Sequence, residues 1–128
     1  MAKVTQLCVD LENKPGQLAK MTKALLRAKV NMEAISVLDN SVCGIVRVVA
    51  TPVAKAKASL VKAGMSPCQA TVLMVKVKNE PGAVSALVEK LASKGINIDY
   101  VYGSAATAGK ESQLVLGVDN IDKAAKAL

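Results

Sequence analysis

Asn13-Lys14-Pro15-Gly16 returns as Asn79-Glu80-Pro81-Gly82, and Val30-Asn31-Met32-Glu33 returns as Ile96-Asn97-Ile98-Asp99, both 66 residues later. Two separate tetrapeptides that keep one spacing mean that a single module is written twice. The repeat limits the fold, because whatever the first copy forms the second must also form. At 128 residues the chain holds two small domains. A lone domain of that size is marginal, burying only about 60% of its unfolded surface.

Each copy opens on an alternation. Thr5, Leu7, Val9 and Leu11 alternate with Gln6, Cys8, Asp10 and Glu12, and Thr71, Leu73, Val75 and Val77 hold the matching positions. Period two predicts a strand with one buried face. After the Pro-Gly turn, Leu18, Met21, Thr22, Leu25 and Leu26 match Val84, Leu87, Val88, Leu91 and Ala92 at the three- and four-residue spacing of a core-facing helix stripe. Gly95 stands where a left-handed helix end is expected, and the first copy has Lys29 there. Strands are predicted from Asn31 to Leu38 and from Asn97 to Tyr102, then from Gly44 to Ala50 and from Gln113 to Val118. The second hairpin, at 104–111, is two residues longer. Pro52 in the first copy and Asp119-Asn120 in the second then open a helix.

Each copy reads βαββα, which places the chain in the α+β class as two ferredoxin-like βαββα(β) domains. The divisions expected are 1–64 for the first domain, 65–69 for a linker or short edge strand, and 70–128 for the second. Residues 65–70 can supply a fourth strand to the first copy. The second copy has nothing left after Leu128, so its last strand is either missing or replaced by another chain.

Composition excludes several functions. The chain has no His, which removes the usual neutral-pH base and the commonest metal ligand. No nucleophile and base are paired, so no catalytic residue is assigned and no enzyme is expected. Cys8, Cys43 and Cys68 are odd in number and far apart, against a disulfide framework or a metal site; no cofactor is implied. Cys43, in a hairpin, shows no nearby base to activate it. A reducing cytoplasm fits, and no apolar run approaches the ~20 residues of a membrane span. The net charge of +7 raises a basic nucleic-acid binder as the alternative function. Its cations recur at helix-surface spacing, as in Lys20, Lys23 and Arg27 or Lys55, Lys57 and Lys62, which favours a solvated surface. With no Phe or Trp and only two Tyr, base stacking is largely excluded.

Strand, Asn-x-Pro-Gly, apolar helix and Val-Asn-Met or Ile-Asn-Ile, in that order and twice, resemble the ACT domain, a small amino-acid-sensing module attached to many biosynthetic enzymes. The resemblance covers nearly the whole chain. It implies two domains side by side in a continuous antiparallel sheet with helices on one face, binding an amino acid at their interface. Leu11, Asn13, Gly16, Gln17 and Leu18 would form one wall of a site faced by Asn97 and Ile98. Val77, Asn79, Gly82, Ala83 and Val84 would form the pseudo-symmetric wall, faced by Asn31 and Met32. The physics agrees, because a glycine at a helix start lets a carboxylate approach backbone N–H groups that lack intrahelical partners. One Asn amide offers the donor and the acceptor that a zwitterion needs.

Some serine-binding members carry a polar residue where this chain has Leu11 and Val77, so serine is not transferred as the ligand. Glu12 beside one loop and Lys78 beside the other set the two sites apart. The rival reading of Asn-x-Pro-Gly is a simple turn, with Asn accepting backbone hydrogen bonds and Pro fixing φ. Asn31 and Asn97 have a similar rival reading as helix-to-strand connectors. Tyr100 and Tyr102 read as packing, with a ligand wall as the alternative, and Arg47 reads as a salt-bridge partner of Asp10, with a clamp on an effector carboxylate as the alternative. A stand-alone regulatory protein of this kind, resembling the regulatory subunits of acetolactate synthase, signals by allostery through association. A homodimer or docking on an amino-acid biosynthetic enzyme is therefore expected.

Overall fold

A computed structural model describes residues 1–39, 43–104 and 107–128. The side chain of Cys43 and residues 105–106 of the longer hairpin lie outside the described residues. The elements are β1 (Ala2–Glu12), α1 (Gln17–Arg27), β2 (Asn31–Asp39), β3 (Cys43–Thr51) and α2 (Val53–Lys62), then β4 (Cys68–Lys78), α3 (Ala83–Ser93), β5 (Ile98–Ser104), β6 (Glu111–Val118) and α4 (Ile121–Ala127). This is βαββα twice. The chain divides into two compact units, Thr5–Ala70 and Thr71–Leu128 with Met1–Val4.

In the first unit the strands run antiparallel in the order β2-β3-β1. Leu7 faces Val48 and Val9 faces Val46, so the apolar half of the β1 alternation meets that of β3. Met21, Ala24 and Leu25 of α1 and Ala56 and Leu60 of α2 close over that face. Each large side chain buried there stabilises by about 1.5–3 kcal/mol. The helix stripe is narrower than its spacing predicts. Leu26 is 73% exposed and Leu18 40%, because Met21, Ala24 and Leu25 already fill the angle that faces the sheet and Leu26 lies one residue's rotation beyond it.

All three helices that continue into a turn end alike. Lys29 N–H donates to Leu26 C=O and Val30 N–H to Leu25 C=O. Gly95 and Ile96 bond in the same way to Ala92 and Leu91, and Gly64 and Met65 to Val61 and Leu60. This paired pattern needs a left-handed residue at the turn. Gly64 (φ 88°) and Gly95 (φ 70°) supply it without steric cost, while Lys29 adopts φ 56° with a side chain attached. The repeat thus locates the helix end in both copies, although only one spends a glycine on it.

In the second unit the order is β4-β6-β5, again antiparallel. Leu73, Val75, Leu87, Leu91, Ile96, Leu116 and Ala124 form the core. Val84 and Val88 of the expected stripe stay exposed. On the opposite sheet face Tyr100 stands across from Gly117, and a Cβ at Gly117 would meet the Tyr100 ring. The phenol fills the space the glycine leaves, which is packing, as its sequence position suggested. Asn120 caps α4, its side-chain oxygen accepting from Lys123 N–H at 3.0 Å.

This unit also contains Met1–Val4. Lys3 Nζ donates to Asp122 Oδ1 at 2.6 Å, linking those residues to the first turn of α4. The copy that ends at Leu128 thus gains strand residues from the far end of the chain. The first unit likewise keeps Cys68–Ala70, the start of β4. The hydrogen bond from Lys3, and then its charge, hold the Asp122 carboxyl below its ordinary pKa.

Candidate functional site

Both Asn-x-Pro-Gly segments turn the same way. Gly16 (φ 91°, ψ −16°) and Gly82 (φ 88°, ψ −14°) are left-handed residues at the starts of α1 and α3, and neither helix start has a side-chain cap. A Cβ at either glycine would meet nothing within 4 Å, so it is the backbone conformation, not crowding, that requires glycine. Lys20 N–H to Gly16 C=O, and Ala86 N–H to Gly82 C=O, are the first helical bonds. The N–H groups of Leu18 and Ala19, like those of Val84 and Ser85, precede them and have no intrahelical acceptor.

The two loops are fastened differently. Asn13 Nδ2 donates to Asp39 Oδ1 at 2.8 Å, tying the first loop to the end of β2. The second loop is held through its backbone. Asn79 N–H donates to Lys110 C=O at 2.8 Å and its carbonyl accepts from Gly109 N–H at 2.9 Å. Glu12 pairs with Lys14 at 2.9 Å across the first turn, where the second copy has Lys78 and Glu80 with the signs exchanged.

Leu11 and Gln17 line one cleft of about 290 Å³ in the first unit, with Asp10, Glu12, Lys20 and the turn Gly64-Met65-Ser66. That brings two carboxylates and an ammonium group around the first loop. Asp10, Lys20 and Met65–Ser66 were not among the site residues expected from sequence, and Glu12 figured there only as the charge that sets the two loops apart. Glu12 and Asp10 sit directly before the loop, and Lys20 is one helical turn past Gly16. The turn after α2 carries no local signal, since Met65 follows Asn13 by 52 residues.

Asn31 and Met32 lie at the opposite end of β2 from Asp39, roughly 26 Å along an extended strand, so within their own unit they do not join Asn13. Both are exposed. In the second unit Val77 and Ile98 are half-buried against the core, Ala83 opens α3, and Val84 is exposed. Asn97 is held locally. Its backbone N–H donates to Asp119 Oδ1 at 3.0 Å and its side-chain amide to Asp99 Oδ1 at 2.8 Å. The connector reading of Asn97 thus has direct partners, and a ligand there would exchange with Asp99.

Arg47 stands opposite Cys8 on β1 and Ser36 on β2, with Asp10 opposite Ile45. Cys8 and Cys68 are free thiols. Among the described residues no three His, Cys, Asp or Glu side chains cluster to hold a metal ion, and no helix is long and apolar enough to cross a membrane.

A family model described as "ACT domain pair" matches residues 2–128. Among solved structures, protein BT0572 from Bacteroides thetaiotaomicron is 28% identical and superposes with a TM-score of 0.92, over 98% of this chain and 86% of that one. The ligand-free regulatory subunit of aspartate kinase from Thermus thermophilus is 18% identical with a TM-score of 0.70, over 96% and 89% of the two chains. The corresponding subunit from Thermus flavus is 19% identical with a TM-score of 0.65, over 96% and 88%. At those identities the kinase subunits share the fold. No curated protein sequence matches significantly.

Proposed function

Because this chain belongs to the ACT domain pair family, we propose that it is a regulatory protein that senses a small amino acid through its Asn-x-Pro-Gly loops. The observation that carries the reading is the cleft at the first loop. A left-handed glycine opens α1 without a side-chain cap, and the adjoining cleft holds Lys20 together with Asp10 and Glu12. A zwitterion needs both signs of charge. In this reading its carboxylate lies toward Lys20 and the free amides of the first helical turn, where the helix dipole favours an anion, and its ammonium group lies toward Glu12 and Asp10. A cleft of about 290 Å³ is near the lower end of ligand pockets, which suits a ligand of amino-acid size. Leu11 leaves the side-chain end apolar.

Asn13, Gly16, Gln17 and Leu18 would complete this wall. The finer proposal is that the effector is shared between copies, with Asn97 and Ile98 serving the first loop, and with Asn31 and Met32 serving Val77, Asn79, Gly82, Ala83 and Val84. The protein then acts by regulation and not catalysis, through a homodimer or an amino-acid biosynthetic enzyme whose association depends on the bound effector.

A thermal-shift screen against the twenty amino acids tests the reading, since a ligand at 100 times its Kd stabilises by about 2.7 kcal/mol. One or a few amino acids should raise the melting temperature, and Lys20→Ala should remove that shift while leaving the unliganded protein stable. A flat response to all twenty would end the sensor reading. A response that survives both Lys20→Ala and Asn13→Ala would move the site away from the first loop.

A further inference from the structure

The outer face of α1 carries more charge than the effector cleft uses, since of Lys20, Lys23 and Arg27 only Lys20 lines that cleft. Lys20, Lys23 and Arg27 fall on one side of the helix and, with Gly16 and Ala19, line a hollow of about 300 Å³. Arg27 also borders a second hollow of about 340 Å³ between α1 and α2, with Lys62 on its far side. No acidic residue lines either one. The four cations therefore follow one track, with Arg27 common to both hollows.

Folding explains only part of this track: Arg27 and Lys62 stand in the last turns of their helices, where the dipole favours a cation, but Lys20 and Lys23 do not. Like charges three and four residues apart destabilise a helix, and Lys20 stands in the first turn, where the helix dipole disfavours a cation. Among the described residues none of the four is in an ion pair. The second copy shows that the module does without them. At the positions matching Lys20, Lys23 and Arg27 it has Ala86, Glu89 and Ser93 on an equally regular helix.

We propose that this track binds a small polyphosphate anion through Lys23, Arg27 and Lys62, with Lys20 common to the track and the effector cleft. The guanidinium of Arg27 offers a planar fork for phosphate oxygens, and the lysines add point charges on either side. Two adjoining hollows bridged by one arginine suit linked phosphoryl groups better than a single phosphate. Ser59, also at the second hollow, already donates its hydroxyl to Ala56 C=O, which leaves recognition to the cations. An extended nucleic acid is the poorer fit. No aromatic side chain lines either hollow for base stacking, and Lys20 to Arg27 span only about 10 Å of helix.

Isothermal titration of the full chain with tripolyphosphate, ATP, inorganic monophosphate and a short single-stranded RNA tests the proposal. Tripolyphosphate and ATP should bind at least about tenfold more tightly than monophosphate. Exchanging the track for the second copy's residues, Lys23→Glu with Arg27→Ser, should weaken them by about tenfold or more, while Lys55→Ala, elsewhere on α2, should leave affinity within about twofold. Lys62→Ala reads the same site from the other helix and keeps the test valid if the double variant proves unstable. The proposal falls if millimolar tripolyphosphate produces no binding, or if Lys55→Ala weakens it as much as the track variants, which would mean attraction to net charge alone. It also falls if the RNA binds more tightly than tripolyphosphate and loses binding with the same variants. Lys20 is left intact throughout, so failure of the amino-acid reading and failure of this one remain separate results.

Discussion

In the first copy Ala34 stands across from Val49, and at the matching place in the second copy Tyr100 stands across from Gly117. The same inter-strand space is filled from opposite strands, by a valine in one copy and by a phenol ring over a glycine in the other. Helix starts differ in the same spirit. α2 begins behind Pro52 with no side-chain cap, whereas the shorter α4 has the Asn120 cap and the Lys3–Asp122 pair. The repeat conserves backbone path and apolar rhythm, and each copy meets its local demands with different chemistry.

If the cores are equivalent, Leu25→Ala and Leu91→Ala should destabilise by similar amounts, about 2–5 kcal/mol each, measured by urea denaturation. Both side chains are fully buried. A large inequality would show that one helix packs more tightly than its twin. A smaller effect concerns the exchanged volume. Gly117→Val, which copies the first unit, should cost about 1–3 kcal/mol through overpacking against the Tyr100 ring. Adding Tyr100→Ala should recover part of that cost, because the pair then matches Ala34 and Val49. A double-mutant cycle with no coupling would mean that the ring does not fill the glycine's space.

At the helix ends, Lys29→Gly should stabilise by about 0.5–1 kcal/mol, the relief of a left-handed lysine less the extra freedom of glycine in the unfolded chain. Gly95→Ala should act in the opposite direction. The smallest effect belongs to Lys3 and Asp122, both exposed. Since Lys3 holds the Asp122 carboxyl below its ordinary value of 3.8, the pair stabilises the fold above that pH. The contribution is lost as pH falls through the lower folded value. The stability difference between the wild type and Lys3→Ala should therefore be present at neutral pH and vanish in strong acid.

Much of this architecture is visible in the residues themselves. Alternation at Leu7-Val9-Leu11 and Leu73-Val75-Val77 identifies the helix-facing half of each strand, but not that Gln6, Val72 and Met74 on the other half are buried as well; the duplicated Pro-Gly turn marks both helix starts within a residue or two. The helix stripe was legible in outline only. Leu18 and Leu26 satisfy a three-four spacing, yet hydrophobicity alone does not tell which edge of a stripe the sheet covers. The loop residues Leu11 and Gln17 were accessible to sequence reasoning because they adjoin a motif. The turn at Gly64–Ser66 was not, since its place at the cleft depends on two helices packing across one sheet.

The four residues Met1–Val4 carry a practical lesson about inheritance. A gene that doubles copies a contiguous stretch of text, but the bodies that fold from this one are not contiguous, because the second borrows its opening residues from before the first. Cutting the chain at the repeat boundary and expressing the halves would deprive the later half of Lys3, the partner of Asp122, and leave those borrowed residues on the wrong fragment. The earlier half, cut ahead of Cys68, would in turn lose Cys68–Ala70. What was duplicated as two words is now spelled as one.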